Sequence, residues 1–168
     1  MGLHLRRAAA GFTLIELMVT IAVAAVLLSL AVPSFTEATL SGKLAASAND
    51  LVAGVAVGRS EAIKRNSVAR MCVSTNGTSC GSGGWEQGWI IIIPSDSTVV
   101  QKHAAAPGGF KVTSSVTQID FQPSGVGSTQ ASITVCRATP TAGSQERVVQ
   151  VDATGRAYVS KTTTGSCS

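Results

Sequence analysis

The sequence predicts an α+β fold, with one very long N-terminal helix leading into an antiparallel β head. Three observations predict it. An uncharged apolar run separates Glu16 from Glu37. Beyond it, Leu40, Leu44, Ala48, Leu51, Val55, Gly58 and Ala62 recur at steps of three and four, which marks one apolar face of a helix. After Asn66 the helical period gives way to short apolar runs divided by Pro and Gly. A chain of 168 residues fits one compact head plus its anchor.

The first half of the helix reads as a membrane span. Phe12 to Phe35 is about 24 residues, or roughly 36 Å of helix, against a hydrocarbon core of about 30 Å. Pro33 cannot donate to the ladder and is expected to bend or break it. Arg6 and Arg7 precede the run and favour a cytoplasmic N-terminus, which puts the head beyond the inner membrane. A secretory signal fits poorly. Its apolar core is about 7–15 residues and precedes a small-residue cut site, whereas Ala8-Ala9-Ala10 come before a longer run here. Glu16 is the anomaly. A carboxylate in a membrane helix costs about 2.5 kcal/mol or more at the centre, and less near the interface. A residue kept at that cost calls for a partner, which makes Glu16 the first candidate functional residue.

The second half, to about Arg65, is expected to be amphipathic and to pack on a sheet. Lys43, Asp50 and Lys64 fall off the apolar stripe, with Arg59 at its edge. Gly42, Gly54 and Gly58 each weaken the helix by about 1 kcal/mol relative to Ala, which suits either close backbone approach or local melting. Strand candidates follow at Ser67–Ser74, Trp85–Ile93, Ser97–His103, Phe110–Thr113, Gln118–Gln122, Ser132–Arg137, Glu146–Val151 and Arg156–Lys161. Within the second of these, Trp89-Ile90-Ile91-Ile92-Ile93 reads as a strand buried on both faces. Asn76-Gly77 is a turn signal. Asn76-Gly77-Thr78 also matches a glycosylation sequon, and is read as turn chemistry.

The stretch Gly11-Phe12-Thr13-Leu14-Ile15-Glu16-Leu17, with its long uncharged continuation, resembles the class III signal of type IV pilins and type II secretion pseudopilins. The order Arg59-Ser60-Glu61-Ala62-Ile63-Lys64-Arg65-Asn66, Cys72, Cys80, Trp85-Glu86-Gln87-Gly88-Trp89-Ile90 and Gly155-Arg156 is similar to the GspH/FimT group of minor pilins. The resemblance covers nearly the whole chain. It implies a head of two small sheets packed against the C-terminal half of the helix. It implies residues 1–11 as a leader, 12–35 as the transmembrane half of the helix, 36–66 as its amphipathic half, and 67–168 as the β head. Prepilin peptidase is expected to cut after Gly11, and Phe12 to be N-methylated. The Glu16 carboxylate is expected to meet the new amine at Phe12 of a neighbouring pilin or pseudopilin. Opposite charges about 4 Å apart attract by roughly 4 kcal/mol at an effective dielectric of 20, which offsets much of the burial cost.

The resemblance therefore implies a minor subunit of a type IV pilus, serving assembly or initiation and twitching motility. The minor pseudopilin of type II secretion is the alternative. Either subunit would be held in the inner membrane by one span before it assembles into a pilus or periplasmic pseudopilus. A third alternative, of another class, is a pilus-displayed DNA receptor. FimT-like receptors use a C-terminal Gly-Arg-x-Arg element. Here Gly155-Arg156-Ala157-Tyr158 has Tyr158 in place of the second arginine. Arg156, Tyr158, Arg147 and Lys161 are its candidate contacts, but phosphate binding sums over several cations. Glu146 and Asp152 dilute these few, so a hairpin with Gly155 at its turn is preferred. Arg59, Lys64, Arg65 and Arg70 make another basic cluster, of which Arg59, Lys64 and Arg65 are read as a solvated helix end suited to the dipole; Trp85 and Trp89 are read as core.

Composition excludes several other classes. The formal charge of +4 falls to about +2 once Arg6 and Arg7 leave with the leader. No catalytic elbow, phosphate loop or paired metal ligands occur, and His103 is the one histidine beyond the leader, so neither an enzyme nor a cofactor is expected. Cys72, Cys80, Cys136 and Cys167 suit an oxidising compartment. They allow three pairings, of which Cys72–Cys80 and Cys136–Cys167 are favoured. The first would close a Gly- and Ser-rich loop, and the second would tie down the C-terminal tail.

Overall fold

The computed structural model describes residues 11–127, 129–139, 145–165 and 167. The chain divides into two compact units between Leu40 and Ser41. One helix, α1 (Leu14–Arg65), belongs to both. Eight strands follow: β1 (Ala69–Val73), β2 (Trp89–Ile93), β3 (Thr98–His103), β4 (Phe110–Ser114), β5 (Gln118–Phe121), β6 (Ala131–Arg137), β7 (Glu146–Val151) and β8 (Ala157–Thr162).

In the first unit α1 is exposed along its apolar length, and it is long and apolar enough to cross a membrane. Its polar side chains turn back onto the helix. The hydroxyls of Thr20, Ser29, Thr36 and Thr39 donate to the carbonyls of Leu17, Val26, Val32 and Phe35 at 2.7–3.0 Å. Internal pairing of this kind is what a nonpolar solvent demands of polar groups. The break expected at Pro33 does not occur, since the helix runs through it. A missing N–H removes only one rung of a long ladder.

In the second unit the expected stripe is the buried face. Leu44, Ala48, Leu51, Val55 and Ala62 are at most 3% exposed, while Lys43, Asp50 and Lys64 face outward. The helix ends in a Schellman arrangement. Asn66 takes a left-handed φ of 48°, its N–H donates to Ile63 O, and Ser67 N–H donates to Ala62 O.

The strands form two antiparallel four-stranded sheets, ordered β3-β2-β1-β5 and β4-β6-β7-β8. In the first, Met71 pairs with Ile91 and Ile119, Val73 with Trp89, and Ala69 with Phe121. These residues line the face toward α1. Gly54 and Gly58 are the contact points, because a Cβ on Gly54 would lie 2.6 Å from the Trp89 ring and one on Gly58 would lie 2.8 Å from the Phe121 ring. Gly42 has no such duty, as nothing lies within 4 Å of a Cβ placed there. The opposite face of this sheet also buries Cys72, Ile90 and Ile92, with Val99 packed against them. The isoleucine run is thus covered on both faces.

The second sheet buries Val112, Ile133, Val135, Val149 and Val151. Two disulfides, Cys72–Cys80 and Cys136–Cys167, join the cysteines in the favoured pairing. Every strand end but one falls within two residues of the sequence reading, and both ends of β7 coincide with it. The larger difference is at Trp85–Gln87, a 3-10 turn rather than strand. Gly88, with φ of 109°, separates it from β2, and a Cβ there would meet His103 O at 2.9 Å.

Candidate assembly site

At the N-terminal end, Thr13 precedes the first helical residue and caps the helix. Its Oγ1 accepts the Glu16 N–H at 3.3 Å, and its carbonyl accepts the Leu17 N–H at 3.1 Å. Thr13 and Glu16 stand at the N-cap and N3 positions, and of the capping box that Thr-x-x-Glu spacing signals only the Thr13 half forms. The helix dipole favours an acid in this first turn. Glu16 is exposed, and among the described residues no hydrogen bond or ion pair engages its carboxylate. Phe12 is 78% exposed. A Cβ on Gly11 would meet nothing within 4 Å, so packing within the chain does not require glycine there.

The basic cluster at the helix end is mostly paired. Glu61 holds Lys64 at 3.2 Å and Arg65 at 2.9 Å. Arg70 grips Asp120 with both Nε and Nη2, at 2.6 and 2.7 Å. Arg59 is different, since its Nε is buried and has no hydrogen-bond partner among the described residues.

The Gly155-Arg156 element is a tight turn between β7 and β8. Asp152 Oδ1 accepts from Thr154 N–H, Thr154 Oγ1 and Arg156 N–H at 2.6–3.0 Å. These donors, the Thr154 hydroxyl first, hold the Asp152 carboxyl below the usual aspartate range. Gly155 has φ of 74°, and a Cβ there would lie 3.0 Å from Gly127 N. Glycine is therefore required by this turn and by the loop beneath it.

The four residues weighed as DNA contacts do not share one surface. Tyr158 is 53% exposed and its hydroxyl bonds Gln150. Lys161 is exposed on the other face of β8, opposite Arg147. Arg147 itself is buried, donating to Ser41 Oγ at 2.8 Å and Glu146 O at 2.9 Å, which removes it from any exposed cationic set. Beside it in sequence, on the opposite face of β7, Glu146 is fully buried. Its Oε2 accepts from Thr162 and Thr164 at 3.0 and 2.7 Å, under the tail that Cys167 ties to Cys136.

Among the concavities of this unit, two adjoin α1. One, of about 210 Å³, lies where Trp89 stacks on His103 at 4.7 Å and His103 Nε2 stands 3.3 Å from Asp50 Oδ2. The other, of about 430 Å³, lies between the end of α1 and the β7–β8 turn. Among the described residues, no group of three or more His, Cys, Asp or Glu could hold a metal ion.

A helix with an exposed apolar half, followed by a disulfide-stapled head of two antiparallel sheets, defines a type IV pilin-like protein. The profile described as the prokaryotic N-terminal methylation motif matches residues 6–32, and that of the type II transport protein GspH matches residues 47–155. The chain belongs to the GspH family, and with the methylation motif it is a minor pilin or pseudopilin subunit. Its fold is similar to the type IV minor pilin FimU of Pseudomonas aeruginosa strain PAO1, at 19% identity and a TM-score of 0.58 over 75% of this chain and 92% of that one. A second crystal form of FimU gives 18% identity and 0.55 over 70% and 92%. The minor pseudopilin EpsH of the Vibrio cholerae type 2 secretion system gives 11% identity and 0.53 over 70% and 96%. No curated protein sequence matches significantly.

Proposed function

We propose that this chain is made as a precursor, anchored in the inner membrane by α1 with its head in the periplasm, and built into a type IV pilus after cleavage between Gly11 and Phe12. Phe12 then carries the methylated amine, and Glu16 pairs with the amine of a neighbouring subunit. The observation that carries this reading is the N-terminal turn. An exposed carboxylate without a partner sits four residues from the cut, at the start of an exposed apolar helix. In water such a helix is unfavourable. In a membrane, and then in a bundle of like helices, it is not. Glycine at position 11 answers no need of the fold, which suits a demand made by a peptidase instead.

The test is Glu16→Ala expressed in cells. The variant is expected to insert and be cut like wild type, but its amount in sheared filaments should fall at least tenfold. Wild-type incorporation would sink the pairing. The type II secretion pseudopilus remains a second reading, favoured by the GspH match itself. It predicts that deletion of the gene abolishes exoprotein release rather than piliation and twitching. A DNA receptor has less support, because Tyr158 stands in place of the second arginine and Arg147 is buried.

A further inference from the structure

The groove of about 430 Å³ at the head end of α1 is walled by Val52, Ala56 and Ile63 on the helix and by Arg156 on the β7–β8 turn, with Arg59 at its base. Three features set it apart from an ordinary surface crease. Ile63 is 51% exposed although it belongs to this wall. The Arg59 Nε is buried without a hydrogen-bond partner among the described residues, a costly state for a charged group. Among the described residues, no acid lines the groove. The nearby acids are engaged elsewhere: Glu61 by Lys64 and Arg65, Asp120 by Arg70, and Asp152 by its own turn. Arginine beside exposed aliphatic surface, with charge to be met from outside, is the composition of a protein interface.

We infer that this groove receives a carboxylate-bearing, otherwise apolar segment of a neighbouring subunit's head, with the carboxylate bridging Arg59 and Arg156 and an apolar side chain seated on Ile63. The inference rests on the filament-subunit reading, since the occupant is a neighbour in the filament. A nucleic-acid backbone fits less well. It would offer Ile63 nothing to cover it, and two cations give little of the summed attraction that duplex binding needs. A planar guanidinium recognises a carboxylate through paired N–H donors.

The experiment places a photo-crosslinking phenylalanine analogue at position 63 of the full-length chain in cells, with the same probe at position 158 as a control. Crosslinked peptides are identified by mass spectrometry, and the chain is quantified in sheared filaments from the same cells. The expected result is an adduct at position 63 with another pilin-class head, in a peptide containing Asp or Glu. Arg59→Gln should reduce it at least fivefold without changing the position 158 pattern or the disulfide-dependent gel mobility. Arg59→Glu combined with Lys at the crosslinked acid should restore it. An adduct indifferent to Arg59, a nuclease-sensitive adduct, or no adduct from chains that do enter filaments would overturn the groove and leave the subunit role standing. Absence of the wild-type chain from filaments would overturn both.

Discussion

The Cα of Gly54 lies directly against the indole of Trp89, so close that a Cβ at position 54 would sit 2.6 Å from Cη2 and 2.8 Å from Cζ3. Helix propensity alone would reward Ala here by about 1 kcal/mol. The contact opposes it, because the ring is buried and stacks on His103. Overpacking of this kind costs about 1–3 kcal/mol. Gly54→Ala is therefore expected to destabilise the head by about 1 kcal/mol net. Gly42→Ala, on an exposed turn of the same helix with open space around it, is expected to stabilise it by up to about 1 kcal/mol. Denaturant midpoints of the detergent-solubilised full chain would show the two shifts. Shifts of the same sign would mean that propensity rather than packing governs these glycines.

The different duties of these two glycines show where sequence reading reaches its limit. The apolar stripe from Leu44 to Ala62 was legible because helix periodicity is local, and each of its residues meets the core whatever the sheet order. The partner of a helical glycine is not local, since Trp89 arrives from a strand beyond the first disulfide loop. Sheet order has the same character. β5 pairs with β1, while β4, which lies between β3 and β5 in sequence, joins the other sheet. Arg147 was misjudged although its signal was present: it alternates with Val149 and Val151, and so shares their buried face. Glu146 gave no signal, because its burial depends on a tail drawn over it by Cys167. The N-cap at Thr13 is local and is legible in Thr-x-x-Glu.

Arg70 and Asp120 stand directly opposite each other on β1 and β5, joined by two parallel hydrogen bonds on the face away from α1. Single exposed ion pairs are worth about 0–1 kcal/mol. Bidentate geometry and partial burial put this one near the top of that range. A double-mutant cycle with Arg70→Ala and Asp120→Ala should return a coupling of about 1 kcal/mol, weakening in high salt. A coupling indistinguishable from zero would mean that the pair fixes register without adding stability.

The two disulfides should differ in weight. In the chain-entropy account, closing a loop of roughly 9 residues contributes about 2.5 kcal/mol and one of roughly 32 about 3.7 kcal/mol. The longer bond also holds the tail whose Thr164 hydroxyl satisfies buried Glu146. Its loss should cost more than loop entropy alone, because a buried carboxylate would lose a donor. Cys136→Ala with Cys167→Ala is expected to destabilise the head by more than Cys72→Ala with Cys80→Ala. Equilibrium unfolding of both variants would decide it, and the reverse order would show that burial of Cys72 between Ile90 and Ile92 outweighs the longer staple.

The β7–β8 turn should respond to acid. The Asp152 carboxylate accepts three hydrogen bonds, and these hold its folded pKa below the ordinary aspartate value. A depressed folded pKa means that ionisation favours the folded turn. The contribution is complete above the unfolded value of about 3.9, and it is lost as the pH falls from there through the depressed folded value. The Thr154 hydroxyl is the largest cause, so Thr154→Val should raise the Asp152 midpoint toward the ordinary value more than any change at Arg156 that leaves its backbone N–H in place. The amide shifts of Thr154 and Arg156, followed by NMR from neutral pH down through this window, would give that midpoint in both proteins. If Thr154→Val left it unmoved, the hydroxyl would not be the group that holds the carboxylate charged, and the tightness of the Gly155-Arg156 turn would have to come from Gly155 and its contact with Gly127 instead.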